Sequence, residues 1–309
     1  MNQECPICKS SSVQLFSKAY YQRSEELREE YCVLQCAACG FAWTDPRPGE
    51  NELPAYYPAD YFGDVSNLIR ELKADTLRKS SPWRMELDKV RLLEKWTNGG
   101  KILDVGCGPG QFLLALDHQR WLPEGIEQDE VASYAIKALL PELRVWSGSI
   151  EAFQGKPNSY DVITFWHSLE HVSQPREVLV KANALLRDGG YVIISVPNFA
   201  SLQAMLFRKH WYALDVPRHL WHFTPRSLEI LLNETGFAVG EHLFFSKAVN
   251  FHQWKHSLRS LVSATTHSLI PYYFLKPFLH LLPAIERLSG KWGVMTFVAQ
   301  KSPSSSASV

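Results

Sequence analysis

Short apolar runs, separated by longer mixed segments, dominate the pattern of hydrophobic and polar positions between residues 101 and 196. Such runs are typical of strands that are buried on both faces of a parallel sheet. The predicted strands are Lys101–Val105, Leu122–Ile126, Arg144–Ser147, Tyr160–Phe165 and Tyr191–Val196. Helices are predicted from Gln111 to about His118 and from about Pro175 to Leu186. This alternation of strands and helices predicts an α/β fold.

Two later segments alternate apolar and polar residues. Phe237–Phe245 and Gly293–Lys301 are therefore predicted to form an antiparallel pair that closes the sheet. Residues 247–291 lie between them as a long insert that is rich in leucine and aromatic residues and is interrupted by Pro271, Pro277 and Pro283. These prolines and Lys276 exclude a membrane-spanning helix. We expect the insert to cap a pocket, to form a dimer contact or to rest on a membrane surface.

The first predicted strand ends in Asp104-Val-Gly106-Cys-Gly108-Pro-Gly110, in which three glycines alternate. Glycine is needed where a loop adopts positive φ angles or where a ligand approaches the backbone closely. The helix that follows directs free N–H groups into such a loop. The G-x-G-x-G spacing differs from the G-x-G-x-x-G of dinucleotide-binding proteins, and the loop lacks the lysine of a P-loop.

With an acid two residues before its first glycine, this loop resembles motif I of the class I S-adenosylmethionine-dependent methyltransferases. The resemblance implies that the loop holds the methionine end of the cofactor and that Glu127 accepts hydrogen bonds from its ribose. It places the adenine beside Ser149 and Ile150, although many relatives have an acid in place of Ser149. The predicted cofactor-binding residues are Asp104, Gly106, Gly108, Gly110, Glu127, Ser149, Ile150 and Trp166. The implied fold is a Rossmann-like, doubly wound, seven-stranded and mostly parallel sheet with an antiparallel last strand.

Composition restricts the partners of the chain. Of its 309 residues, 46% are hydrophobic and 21% are charged, and the formal net charge is zero. A nucleic-acid-binding protein would show a basic region, so the charge balance argues against RNA or DNA as a substrate. The first nine residues are polar and lack the apolar core of a signal peptide, so we expect a cytoplasmic protein.

Four cysteines form two C-x-x-C pairs, Cys5–Cys8 and Cys36–Cys39, with 27 residues between the pairs. Four thiolates in this arrangement suit a tetrahedral zinc ion. Two disulfides or a redox-active C-x-x-C are the alternatives. The lack of an export signal disfavours the first, and the lack of a flanking βαβ unit disfavours the second. We predict a structural zinc site in an N-terminal ribbon.

An aromatic segment follows the ribbon and includes Tyr56, Tyr57, Tyr61 and Phe62. It resembles a segment of bacterial methyltransferases that carry an N-terminal zinc ribbon, including some sugar C-methyltransferases. Two interpretations follow: the segment lies over the mouth of the cofactor site, or its rings dock the ribbon onto the main domain. Residues 64–98 are predicted to be mainly helical and to connect the two units.

The fourth strand delivers Trp166-His167-Ser-Leu-Glu170-His171-Val to the carboxyl edge of the sheet, where open α/β sheets bind ligands. We reject the H-x-x-E-H motif of one zinc-peptidase class, because that motif lies on a helix and this one begins at a strand end. The stretch resembles a loop of ubiquinone-pathway O-methyltransferases, in which acids and a histidine hold a divalent cation. Those relatives have an acid in place of His167, which disfavours a hard cation here. His171 is either a structural residue at a helix start or a catalytic one.

A second cluster contains Asp215, Arg218, His219 and His222 and precedes a helix that Thr224 and Pro225 are predicted to start. We expect this loop to form a wall of the acceptor pocket; alternatively, Arg218 pairs with Asp215 or Asp45 and only fixes the loop. A hydroxyl acceptor needs a base that works near neutral pH, and histidine serves that purpose. The predicted catalytic residues are, in order, His167, His219 and His222.

Together these features predict a methyltransferase for a small-molecule acceptor, such as a sugar or a lipid-linked intermediate, with oxygen, nitrogen or carbon as the accepting atom. It is predicted to be a monomer or a homodimer. The alternatives are a ribosomal-RNA methyltransferase and a non-catalytic protein that only binds the cofactor. The predicted domains are a zinc ribbon (1–50), a linker (51–98), a methyltransferase domain (99–301) with the insert, and a disordered tail (302–309).

Overall fold

The structure is a computed structural model that describes residues 4–21, 29–49, 51–57, 61–63, 71, 81–139, 141, 143–243 and 247–303. Most of residues 64–80, the first part of the predicted helical stretch 64–98, and the end of the predicted tail from 304 onward lie outside these residues. The strands are β1 Val13–Tyr20, β2 Glu30–Cys36, β3 Ala42–Asp45, β4 Gly100–Val105, β5 Trp121–Glu127, β6 Arg144–Ser147, β7 Tyr160–Trp166, β8 Leu186–Pro197, β9 Trp221–His222, β10 Phe237–Leu243 and β11 Val294–Lys301.

The helices alternate with the strands of the main sheet. They are α1 Ser81–Leu93, α2 Gln111–Ala115, α3 Glu130–Leu139, α4 Pro175–Leu185, α5 Leu202–Phe207, α6 Pro225–Glu234, α7 Lys247–Thr266, α8 Ile270–Leu275 and α9 Leu282–Ser289. Helix α2 ends before the predicted His118, because Leu116 is extended and Asp117 accepts a bond from the N–H of Gln119 in a local turn.

Seven strands form the main sheet in the order β10-β11-β8-β7-β4-β5-β6. The pairs among β8, β7, β4, β5 and β6 are parallel, whereas β11 runs antiparallel to both β8 and β10. Side chains at the centre, such as Ile102 and Leu103 on β4 and Ile163 on β7, are fully buried. The predicted fold, a seven-stranded and mostly parallel sheet with an antiparallel last strand, is confirmed.

A second sheet, with the order β1-β2-β3-β9, carries the cysteine pairs at its end. Its fourth strand comes from far along the chain: Trp221 and His222 of β9 pair with Trp43 and Ala42 of β3. The sequence predicted a loop at 221–222. The segment becomes a strand because β3 presents a free edge, and pairing satisfies the backbone groups of both.

The two sheets share one core. A single cluster of buried side chains runs from Ile7, Phe41 and Trp43 of the N-terminal unit to Leu103 and Phe165 of the main sheet. Helix α6 begins at this junction. Its N-cap Thr224 accepts a bond from the N–H of Ser227 and donates to the carbonyl of Cys39, so the predicted helix start also fastens the ribbon.

The insert forms helices α7, α8 and α9, and a second buried cluster joins it to the N-terminal sheet. Trp254 of α7 packs against Phe207, while Tyr31 and Val33 of β2 lie in the same cluster. None of the helices in the described part of the chain is both long enough and apolar enough to cross a membrane.

Candidate active site

A cleft of about 630 Å³ lies at the carboxyl ends of β4, β5 and β7. Its walls come from the loop after β4, the end of β5, residues 148–151, residues 166–173, helix α1 and the aromatic segment. Its volume falls in the range of about 300–1,000 Å³ that is usual for small-molecule sites. No described residue of the insert lines it, so the described residues do not support the alternative in which the insert caps this pocket.

Backbone conformation explains the alternating glycines. Gly106, Gly108 and Gly110 have φ angles of 73°, 53° and 78°. A Cβ atom on Gly106 would lie 2.6 Å from the Cβ of Ser168, and one on Gly110 would lie 2.5 Å from Ile136. The loop is therefore held between residues 166–172, here called the histidine loop, and helix α3, with its backbone exposed to the cleft.

Glu127 closes the floor of this loop. Its Oε2 accepts a 2.7 Å bond from the N–H of Gly108, and its Oε1 accepts a 2.8 Å bond from the N–H of Asp129. Burial raises the pKa of Glu127, and these two N–H groups oppose that shift. A carboxylate oxygen accepts more than one bond, so Glu127 can still accept hydroxyl groups from a ligand in the cleft.

Asp104 lies beneath the loop at the end of β4. Its Oδ1 accepts a 2.7 Å bond from the hydroxyl of Thr164 on β7. Burial raises the pKa of Asp104 to about 7, although the Thr164 bond and nearby Lys89 act in the opposite direction. A nearby cationic ligand would favour the ionised form of this carboxyl group.

The other predicted cofactor residues also line the cleft. Ser149 and Ile150 follow β6 on one side, and Trp166 ends β7 on the other. Helix α1 adds Glu86 and Lys89, whose side chains pair at 2.8 Å, and the Lys89 ammonium lies 5.4 Å from the centroid of Trp166. Sequence reasoning missed these two residues, because they lie on a helix with no motif.

The aromatic segment serves both of the purposes that the sequence left open. Tyr56 is buried against the N-terminal sheet, where its hydroxyl lies 2.7 Å from that of Tyr31. Tyr57, Tyr61 and Phe62 line the cleft, and consecutive rings meet edge to face at 5.1 and 4.9 Å. Phe62 covers Gly108 so closely that a Cβ there would lie 3.2 Å from its ring.

His167 projects from the end of β7 into the cleft with a side-chain exposure of 35%. Its φ angle is +56°, a conformation that is uncommon outside glycine. Its N–H donates to the carbonyl of Ser195, and its Nδ1 lies 3.5 Å from Oε1 of Glu170. The strained backbone thus holds the imidazole between a buried acid and the open cleft.

A buried polar cluster lies behind His167. Glu170 is fully buried, and within the described residues neither of its carboxylate oxygens has a hydrogen-bond partner. Ligand atoms of Glu170, His171 and His219 lie within 4.8 Å of one another. Nδ1 of His171 lies 3.0 Å from both the Tyr57 hydroxyl and the carbonyl of Arg218. Of the three grouped residues, only His171 lines the cleft.

The structure confirms the alternative in which Arg218 pairs with Asp215 and fixes its loop. Its side chain is completely buried and forms an ion pair with Asp215. Its guanidinium also lies 4.8 Å from the ring centroid of Tyr61 and 5.5 Å from that of Tyr57. The ion pair and the ring contacts therefore fix this loop against the aromatic segment. The loop itself does not line the cleft.

His219 and His222 do not line the cleft. Nδ1 of His219 lies 2.8 Å from the carbonyl of Ala213, and burial lowers the pKa of this imidazole well below its usual range. Nε2 of His222 lies 3.3 Å from the hydroxyl of Thr44, and burial lowers its pKa to about 3. Both histidines belong to the interior, so we do not carry forward their predicted catalytic roles.

The four cysteines of the C-x-x-C pairs converge at the end of the second sheet. Sγ atoms of Cys5 and Cys39 lie 3.6 Å apart, as do those of Cys8 and Cys36, and no disulfide links them. Burial acts to raise the pKa of Cys36, but the N–H groups of Cys39 and Ala38, together with the side chains of Cys8 and Cys39, lower it to about 7. Tetrahedral zinc–thiolate geometry places sulfurs about 3.8 Å apart, close to these distances.

Comparison with known proteins identifies the class. A family model described as "Methyltransferase domain" matches residues 81–242, which is more than half of the chain and contains the cleft loops. The chain belongs to this methyltransferase-domain family.

Curated relatives of modest sequence identity are also named as methyltransferases. Over 154 residues the chain is 29% identical to a ubiquinone biosynthesis O-methyltransferase of Albidiferax ferrireducens, with 44% of this chain and 56% of the relative covered. Over 146 residues it is 32% identical to the Vibrio cholerae protein of the same name, with 44% of this chain and 58% of the relative covered. The chain thus spans little more than half the length of these relatives.

Solved structures support the fold. A chain from the complex between the Haloferax volcanii Trm112 methyltransferase activator and its methyltransferase partner superposes with a TM-score of 0.51 and 13% identity, covering 77% of this chain and 98% of that one. A Bacillus halodurans protein described as a methyltransferase superposes with a TM-score of 0.51 and 15% identity, covering 70% of this chain and 98% of that one.

Proposed function

We propose that this protein transfers a methyl group from S-adenosylmethionine to a hydroxyl of a small-molecule biosynthetic intermediate, with His167 as the general base. The observation that carries the proposal is the position of His167, which lines the same cleft as the glycine loop. The O-methyltransferase names of the relatives favour oxygen as the accepting atom. Sugars and lipid-linked precursors remain the first acceptors to screen.

The residues of the cleft fit the cofactor. The backbone of Gly106 and Gly108 forms a cradle that side chains would fill, and Glu127 keeps acceptor capacity for ribose hydroxyls. When bound there, S-adenosylmethionine supplies a methyl group attached to positively charged sulfur. The buried carboxyl of Asp104, next to the loop, favours a cationic ligand.

The protein must orient the acceptor hydroxyl and accept its proton. In the tautomer of His167 that carries its proton on Nδ1, that N–H lies beside Glu170, whose Oε1 is 3.5 Å from Nδ1. Nε2 is then unprotonated and can accept the proton of a hydroxyl in the cleft. Tyr57 and Tyr61 add aromatic rings to the wall on this side of the cleft, where they can shield the reacting atoms from water.

We also propose that Cys5, Cys8, Cys36 and Cys39 hold one structural zinc ion. Their four sulfur atoms converge at distances that suit tetrahedral coordination. The site lies at the ribbon end, so its role is to stabilise the second sheet.

Two measurements test the methyl-transfer proposal. Calorimetric titration with S-adenosylmethionine and S-adenosylhomocysteine should show micromolar binding of both; no binding of either would favour a protein without transfer activity. With an acceptor found by screening, His167→Ala should lower kcat by about 10²–10⁴-fold and change cofactor affinity only a few-fold. His118→Gln, at an exposed turn, is the matched control with unchanged kcat. An unchanged kcat in His167→Ala would exclude it as the base.

A further inference from the structure

The last helical stretch before β11 is a nearly continuous run from Ile270 to Ser289. Helix α8, a 3₁₀ turn (Lys276–Leu281) and helix α9 follow one another without a break. At the two junctions, Lys276 and Leu282 keep right-handed helical angles, φ −52° and ψ −40° for the first and φ −64° and ψ −38° for the second. We call this stretch the 270–289 run.

One side of the run faces the protein. Tyr272, Leu279 and Glu286, seven residues apart, are 4%, 2% and 0% exposed. The opposite side carries large apolar side chains at intervals of three or four residues, with exposures between 46% and 89%. They are Ile270, Phe274, Phe278, Leu281, Ile285 and Leu288. Surface helices of soluble proteins usually place polar residues on their outer side, so this second apolar stripe is unusual.

The exposed stripe continues onto a neighbouring helix. The N–H of Leu202, at the start of α5, donates to the carbonyl of Lys291 just after the run. The Nζ of Lys291 lies 3.8 Å from the Sδ of Met205. Met205 and Leu206 of α5 are 54% and 59% exposed. The apolar surface is therefore wider than one helix.

The charged residues of the insert are nearly all cations. Between residues 247 and 291 the chain has the cations Lys247, Lys255, Arg259, Lys276, Arg287 and Lys291 but only one acid, Glu286. Glu286 is fully buried and accepts a 2.7 Å bond from Nε2 of Gln203. Arg259, Lys276 and Lys291 are exposed. The insert therefore presents a surface of apolar and cationic side chains without an exposed acid.

We propose that the outer side of the 270–289 run binds the surface of an anionic lipid bilayer. An interfacial helix buries its apolar stripe at the headgroup boundary, while lysines next to it reach the anionic headgroups. A run of 20 residues extends about 30 Å and would lie parallel to the bilayer. A second copy fits less well, because an isologous contact would bring the same cations together with no acid of the insert to pair with them.

Vesicle sedimentation tests this proposal without any need for methyl transfer, so its outcome is separate from that of the function proposed above. The full chain should bind vesicles of phosphatidylcholine with phosphatidylglycerol, bind pure phosphatidylcholine at least tenfold more weakly, and lose most of its binding at high salt. Phe274→Asp with Leu288→Asp should weaken binding to the anionic vesicles at least tenfold. Lys276→Gln should weaken it about fivefold.

The matched control is Tyr134→Asp. This aromatic residue is 69% exposed on α3, which packs at the opposite end of the main sheet, and its replacement should leave vesicle binding unchanged. Circular dichroism checks that each variant is folded. Absence of binding to anionic vesicles would overturn the proposal. So would wild-type binding by the double variant, or a concentration-dependent dimer that Phe274→Asp dissociates, since a second copy would then cover this surface.

Discussion

The two sides of the cleft differ in how far apart their residues lie in the sequence. The side that we propose for the cofactor, called the cofactor side, is formed by Asp104, the glycine loop and Glu127, all within 24 consecutive residues (104–127). The opposite side brings together Tyr57 and the histidine loop, supported from behind by Arg218. The cofactor side is formed by one βαβ unit. The other side is complete only when the N-terminal sheet packs against the main sheet.

Gly108→Asp should have the largest effect, and the quantity that it changes most should be cofactor affinity. The new side chain would place an anion beside Glu127 and meet the ring of Phe62 at a backbone φ of +53°. We expect S-adenosylmethionine affinity to fall at least a thousandfold by calorimetry. Gly290→Asp introduces the same residue at φ +66° in open space and serves as the control. Retained affinity in Gly108→Asp would show that the cofactor lies elsewhere.

Cys36→Ser should affect the side of the cleft that faces the acceptor much more than the cofactor side. If zinc holds the ribbon, the variant should lose one equivalent of metal and several kcal/mol of stability, which lowers Tm by about 10 °C. Acceptor KM should rise about tenfold, while cofactor affinity stays within about threefold. Cys32→Ser, at a cysteine outside the cluster, is the matched control. A wild-type protein purified without metal would contradict the zinc assignment.

Acid should destabilise the protein through its buried histidines. The pKa of His222 falls to about 3 in the folded state, so below pH 6.5 the unfolded state binds a proton that the folded state does not. Stability should therefore fall by about 1.4 kcal/mol per pH unit from this group between pH 6.5 and about 3. Urea titrations of wild type and His222→Gln should differ by this slope. If the free energy of unfolding changes with pH at the same slope in both proteins, folding does not lower the pKa of His222.

Tyr57→Phe should have the smallest effect. It removes the hydroxyl that lies 3.0 Å from Nδ1 of His171 but keeps the ring in the cleft wall. We expect acceptor KM to rise two- to fivefold, with cofactor affinity unchanged. Tyr20→Phe, on an exposed strand position, controls for loss of a hydroxyl. A larger loss in kcat than in KM would mean that the hydroxyl takes part in catalysis.

Local patterns were enough to predict the main sheet, the glycine loop and the position of His167 at a strand end. The interior positions of His219 and His222 were not predicted, because each residue was judged by its neighbours in sequence. Their burial depends on Thr44 and Ala42 of a strand about 180 residues earlier, which no local pattern reveals. Glu86 and Lys89 were missed for a related reason: an ordinary helix carried them to the cleft.

The pairing of β9 with β3 also has a consequence for the order of events during synthesis. The ribbon strands leave the ribosome early, but the second partner of β3, residues 221–222, is made much later. Until then Phe41 and Trp43 lack the cover of Trp221 and Phe223, and the edge of β3 remains open. A fragment that stops at residue 50 should therefore aggregate, whereas supplying the rest of the chain in trans should rescue it.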